Sequence, residues 1–187
     1  MSLRQRWSSV TPTDVSAWMC PGTLPMTAAV ERLGPPTRQH IASREAGRMP
    51  FVTLIWRRDS RLLVARFAEG CLGAWAGWSC EAASNETDTL RDAMLRPGRD
   101  DVASMQEALG PPSGTAVAPF VPDGCAGALL WLRSLPGPGR AVLSSLAATF
   151  DPDGRMLAFW HTTRPGARRW DDGLSGLASL RLGIPVR

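Results

Sequence analysis

Two kinds of hydrophobic periodicity alternate along this chain, and the whole order of them occurs twice. Residues 13–20 place Val15, Trp18 and Met19 at helical spacing, and residues 89–96 do the same with Leu90, Ala93, Met94 and Leu95. Each stretch begins at Thr or Asp, residues that accept hydrogen bonds from a free helix start. Pro21-Gly22 and Pro97-Gly98 then break the helix. A second helix is predicted behind each break. Its apolar positions are Met26, Ala29, Val30 and Leu33 in the first half and Val102, Met105, Ala108 and Leu109 in the second. Gly34 and Gly110 suit the left-handed position after a helix, and Pro35-Pro36 and Pro111-Pro112 prevent continuation. Gly22, Gly34, Gly98 and Gly110 therefore read as structural.

Strand patterns follow in both halves. Phe51–Arg57, Leu62–Phe67 and Cys71–Trp78 are apolar, aromatic and β-branched, and turn residues separate them. Ala128–Arg133, Ala141–Phe150 and Arg155–His161 repeat the series, with Asp151-Pro152-Asp153-Gly154 as a turn. Residues 37–50 and 113–127 read as loops. The predicted class is α+β, as two tandem units. Each unit has two helices packed on a three- to four-stranded antiparallel sheet. The boundaries are 10–85, 86–161 and a C-terminal extension over 162–187, weakly helical from Leu174 to Leu182. Either unit alone would be small, so the two are expected to pack together, in one arrangement as a continuous sheet.

At an offset of 76, nine of the 24 positions from 13 to 36 are identical, including Pro21-Gly22 with Pro97-Gly98 and Leu33-Gly34-Pro35-Pro36 with Leu109-Gly110-Pro111-Pro112. Leu54 with Leu130 and Arg57 with Arg133 keep the same offset. Pro-Gly, a spaced Glu, Leu-Gly-Pro-Pro and then Phe150-Asp151-Pro152-Asp153-Gly154 resemble the SmpA/OmlA group, which includes BamE-like outer-membrane lipoproteins. Two tandem copies are similar to the arrangement in β-lactamase inhibitory protein. The resemblance implies a helix-on-sheet scaffold and brings no chemistry with it. It departs at Leu24-Pro25-Met26, where the group usually has a polar helix opening, and no lipobox cysteine precedes the first unit.

Composition adds less. All 21 basic residues are Arg, and the formal charge is +4. These arginines are scattered, so they make no nucleic-acid stripe. No apolar run reaches the length of a transmembrane helix. If a signal peptide precedes this sequence, the expected place is the cell envelope or periplasm; otherwise it is the cytoplasm.

Four cysteines (20, 71, 80 and 125) are compatible with two disulfides or with four free thiols. Cys71 and Cys80 are near enough in sequence to staple a local bend. His40 and His161 lack a local nucleophile signature, and the cysteines lack zinc spacing. Glu31 and Glu107 read as repeated surface charges. No cofactor is expected, and the chain reads as non-catalytic.

The eight tryptophans are the candidate chemistry. Trp56 and Trp131 lie on the first strands; Trp75, Trp78 and Trp160 lie on the last. Neighbours on a strand face opposite ways, so one of Phe159 and Trp160 must point away from the helices. This places an aromatic patch on the open sheet face, with Arg57, Arg66 and Arg133 at its rim. The alternative is that these rings form core. The expected function is binding a protein partner through that face and the loops at 58–61 and 134–140. The runner-up is a cytosolic adaptor or immunity-type inhibitor; third is an enzyme of unrecognised type.

Overall fold

In a computed structural model, residues 15, 17–42, 50–79, 89–90, 93–137 and 142–165 are described. The elements are α1 (Met26–Leu33), β1 (Arg38–Ala42), β2 (Phe51–Arg58), β3 (Arg61–Ala68), β4 (Cys71–Ser79), α2 (Val102–Leu109), β5 (Gly114–Ala116), β6 (Gly127–Leu135), β7 (Val142–Phe150) and β8 (Met156–Pro165). All eight strands form one antiparallel sheet in the order β1 to β8.

This corrects the expected class. The described residues are mostly β, one eight-stranded antiparallel sheet with two eight-residue helices, rather than two units each with two helices on a three- to four-stranded sheet. Of the helix expected at 13–20, Val15 is helical and residues 17–20 leave the helix, while residues 13, 14 and 16 lie outside the described residues; of that expected at 89–96, the described residues are not helical. Ala17 and Trp18 form a turn closed by bonds from Trp18 N and Met19 N to the Val15 carbonyl. Thr89 and Leu90 are a turn, and Ala93–Arg96 is irregular. Two strands were hidden inside the predicted loops. β1 is exposed from Arg38 to Ile41 with a single large apolar residue, and β5 is three residues long, so neither has a readable apolar alternation. The three-residue β5 pairs with both β4 and β6 and joins the halves. The 174–182 helix lies outside the described residues.

Both helices cover the same face. Trp75, Thr115, Leu129, Ala148 and Phe159 form one cross-strand row, and Trp75 packs in the α1 cluster while Leu129, Ala148 and Phe159 pack in the α2 cluster. Leu33 of α1 packs in one cluster with Leu54, Leu63, Phe67 and Leu72 of the sheet, and Leu109 of α2 in another with Leu146, Phe150 and Met156.

The opposite face is also packed. Its cross-strand row is Ile55, Val64, Ala76, Gly114, Leu130, Ala147 and Trp160, all but Gly114 packed in a third cluster. Phe120, Val121 and Cys125, from the connection between β5 and β6, pack there over small residues such as Ala74 and Ala116. Phe120 meets Phe51 edge to face, with ring centroids 5.6 Å apart.

Several contacts occur twice. Gly22 N donates to Leu72 O and Gly98 N to Met156 O. Met26 N donates to Gly70 O and Val102 N to Gly154 O. Trp56 Nε1 donates to Gly34 O at 2.9 Å, and Trp131 Nε1 to Gly110 O at 2.9 Å. Thr37 and Ser113 each hold the next strand by hydroxyl and backbone bonds, to Arg57 and Leu132. The spacing falls from 76 to 75 between the helix stops and the strands. The structural counterpart of Arg133 is therefore Arg58, one residue beyond the Arg57 that a constant offset selects.

Gly34 and Gly110 have φ of 83° and 76° with ψ of −178° and −172°. Positive φ was expected, but this is the extended mirror region rather than the left-handed helical one, and it is essentially closed to side chains. That geometry turns each glycine carbonyl toward an indole N–H, so the helix stop also anchors the strand beneath it.

Candidate functional site

The structure puts the five candidate tryptophans in three environments. Trp56 and Trp131 are buried under the helices with their indole N–H groups satisfied by the glycine carbonyls. Trp75 is buried on the same face, and its Nε1 has no partner. Trp78 is buried on the opposite face and also has an unpartnered Nε1. Trp160 alone is half-buried, packed beside that opposite-face cluster on the last strand. A patch of all five on an open face does not form, because neither face is open.

The arginines separate as well. Arg133 Nη2 donates to Leu109 O at 2.8 Å and Nη1 to Leu132 O at 3.2 Å. It caps the C-terminus of α2, where orphan carbonyls and the helix dipole favour a cation. Arg66 is half-buried, with its guanidinium 5.2 Å from the Phe51 ring centroid. Arg57 is exposed beside the two-residue Asp59-Ser60 turn. The 58–61 loop is thus a tight hairpin. Of the other loop, residues 138–140 lie outside the described residues.

Of the expected local cysteine staple, Cys71 is a free thiol at the start of β4, and Ser79, which closes β4, lies about eight strand rises of ~3.3 Å from it. A disulfide needs Cα atoms roughly 4.4–6.8 Å apart. Cys71 and Cys20 are free and exposed, Cys125 is free and half-buried, and Cys80 itself lies outside the described residues.

Ser144 Oγ and His161 Nε2 are 2.9 Å apart, a spacing that sequence reading missed because it arises only from the β7–β8 register. Such a pair could activate a hydroxyl. Ser144 is 0% exposed, however, so no substrate reaches it. His40 is exposed on β1. Among the described residues no group of three or more His, Cys, Asp or Glu could hold a metal ion. No described helix is long and apolar enough to cross a membrane.

Helix starts differ between the halves. Asp101 caps α2 by accepting from Ser104 N at 2.8 Å, while Ser104 Oγ accepts from Asp101 N at 2.9 Å. The backbone bond from Ser104, then its side-chain bond, hold the Asp101 carboxyl below the usual carboxylate value. α1 starts at Pro25 without a side-chain cap.

The remaining feature is the last edge strand. β8 is ten residues long, and among the described residues only β7 pairs with it. A bulge at Leu157 interrupts its start, where Phe150 faces Met156 and Thr149 faces Ala158. From Ala158 to Thr163 it has no proline and no Asp, Glu, Lys or Arg. Phe159 and Trp160, on opposite faces, are both half-buried. The other edge, β1, is five residues long and carries Arg38 and His40.

No protein-family model matches the chain, so the SmpA/OmlA resemblance and its lipoprotein implication gain no support. No curated protein matches it either. Among solved structures, the chain is similar to a "putative beta-lactamase inhibitor protein" from Streptococcus mutans. The two share 12% identity over 74% of this chain and 82% of that one, at a TM-score of 0.46. That overlap is too loose to define a common fold.

Proposed function

We propose that this protein is a non-catalytic protein-binding module that takes an extended segment of its partner onto the outer edge of β8. The observation that carries this is the run Ala158–Thr163, which has neither charge nor proline between the bulge at Leu157 and the closing Arg164-Pro165. A free edge offers a row of backbone donors and acceptors, and folded proteins ordinarily blunt such edges with charge, proline or short length. A strand added there gains main-chain hydrogen bonds and covers the outer rims of Phe159 and Trp160, one on each face. Trp160 is the one candidate tryptophan that remains available as an anchor. Arg57 lies six strands away in the sheet order and belongs to a separate surface.

The doubled contacts around Gly34 and Gly110 support a duplicated scaffold. On that reading the shared parts hold the sheet, and the unshared parts, such as the β8 edge, carry recognition. Placement in the bacterial cell envelope rests on the sequence resemblance alone. A cytosolic adaptor or immunity-type inhibitor is the second reading. The free thiols of Cys20, Cys71 and Cys125 favour it, because exposed thiols persist where the compartment is reducing.

The test is quantitative co-purification from the native organism with wild type and an Ala158→Lys/Thr163→Lys double variant. Both positions lie on the edge strand and neither is buried. The variant is expected to lose a specific partner while keeping its circular dichroism spectrum. An unchanged partner at unchanged yield would overturn edge binding.

A further inference from the structure

A groove of about 320 Å³ runs beside α2, lined among others by Ala93, Met94, Asp100, Ser104, Met105 and Ala108. The first half has the same local frame, because the bonds that hold each helix to the sheet are paired: Met26 N to Gly70 O with Val102 N to Gly154 O, and Gly34 N to Val30 O with Gly110 N to Gln106 O. In that frame Trp18 stands where the second half has Met94, Leu24 where it has Asp100, and Arg32 where it has Ala108. In the first half large side chains occupy these positions. Trp18 is half-buried against the α1 cluster, and the Arg32 guanidinium lies 4.5 Å from its ring centroid. In the second half the two large side chains are gone: Ala108 leaves the helix face bare, and Met94 is 89% exposed. Asp100 introduces a carboxylate, held by its bond from Arg96 N.

We infer that the α2 groove is a docking site for a peptide segment of a protein partner that presents a Trp or Phe side chain with an Arg or Lys beside it. The chain itself shows what completes this geometry: an aromatic ring stacked under a cation. The groove is at the small end of the range for ligand sites, a size that suits one aromatic side chain together with the side chain beside it. The cation then meets Asp100, where the first half has an apolar Leu24. This site is distinct from the β8 edge. It deepens the protein-binding reading while resting on its own geometry.

The experiment selects twelve-residue peptides from a random phage-displayed library on the full chain. Counter-selection uses a Met94→Trp/Ala108→Arg double variant, which transplants the first-half filling at two exposed positions. The enriched peptide is then titrated into protein labelled with ¹³C at the methionine methyls. The expected peptides share an aromatic residue next to a basic one. The Met105 methyl resonance should move upfield, as it would beneath an aromatic ring. Affinity should fall at least tenfold for the double variant and for the peptide with its aromatic residue changed to Ala, and stay unchanged for Ala158→Lys/Thr163→Lys. The inference is overturned by any of four results. The first is that selection enriches nothing, and the second that the double variant binds equally. The third is a Met105 methyl already ring-shifted in the free protein and unmoved by peptide, which places one of the chain's own tryptophans in the groove. The fourth is a shift with protein concentration alone, which places a second copy there. Loss of partner in the β8 variant, with the groove intact, bears on edge binding only.

Discussion

Replacing Trp131 and Trp75 separately with Phe should give unequal losses of stability, although both rings are almost fully buried on the same face. Each change removes part of a buried aromatic side chain, and the residual cavity costs roughly 1–2 kcal/mol in either case. The polar consequences are opposite. Trp131→Phe deletes the 2.9 Å bond to Gly110 O and leaves a carbonyl without its indole donor, at about 1–3 kcal/mol. Trp75→Phe deletes an N–H that has no acceptor, so a desolvation penalty of about 1–3 kcal/mol disappears with it. The expected totals are about 2–5 kcal/mol for Trp131→Phe and near zero, within about 2 kcal/mol, for Trp75→Phe. Urea unfolding followed by far-ultraviolet circular dichroism measures both, read as midpoints at a common slope. Trp56→Phe should behave like Trp131→Phe, since its bond to Gly34 O has the same 2.9 Å length. If Trp75→Phe proves as costly as the other two, the glycine–indole clamp does not contribute as argued.

Three further outcomes follow from the packing. A Cβ at Gly114 would collide with the Trp75 carbonyl and come within 2.9 Å of Ala76 Cα, both backbone, so Gly114→Ala should cost about 1–3 kcal/mol or more in the same unfolding assay. Asp101→Ala should destabilise α2 at neutral pH. Because the folded-state carboxyl titrates below its unfolded value, that contribution is present above the unfolded value of about 3.8 and is lost as pH falls through the lower folded one. The gap between wild type and Asp101→Ala should therefore be constant from pH 7 to about 5 and narrow progressively below 4. In native-state alkylation with mass spectrometry, Cys20 and Cys71 should label fast and Cys125 more slowly, whereas protection of Cys71 would contradict its free, exposed state.

The long strands were legible because Phe51–Arg57 and Leu62–Phe67 are dense in aromatic and branched residues. β1 was not, since Arg38-Gln39-His40-Ile41 is exposed throughout and edge pairing needs no apolar face. β5 was hidden by its length. The helix expected at 89–96 has the right spacing, but local periodicity does not reveal that Ala93–Arg96 runs irregularly beside α2. The tryptophans show the limit most clearly. Alternation correctly sent Phe159 and Trp160 to opposite faces. It could not show that the face beyond the helices is packed, because part of what packs there comes from Phe120 and Val121. These sit in a stretch whose Pro119 and Pro122 read as plain loop. The Ser144–His161 pair and the β8 edge are products of register, which exists only once the sheet is assembled.

Hydrogen–deuterium exchange on the protein alone and bound to its captured partner tests edge binding most directly. The expected result is strong new protection at alternate amides between Ala158 and Thr163, with β1 unchanged. Unaltered exchange along β8, with protection appearing elsewhere, would contradict the proposal.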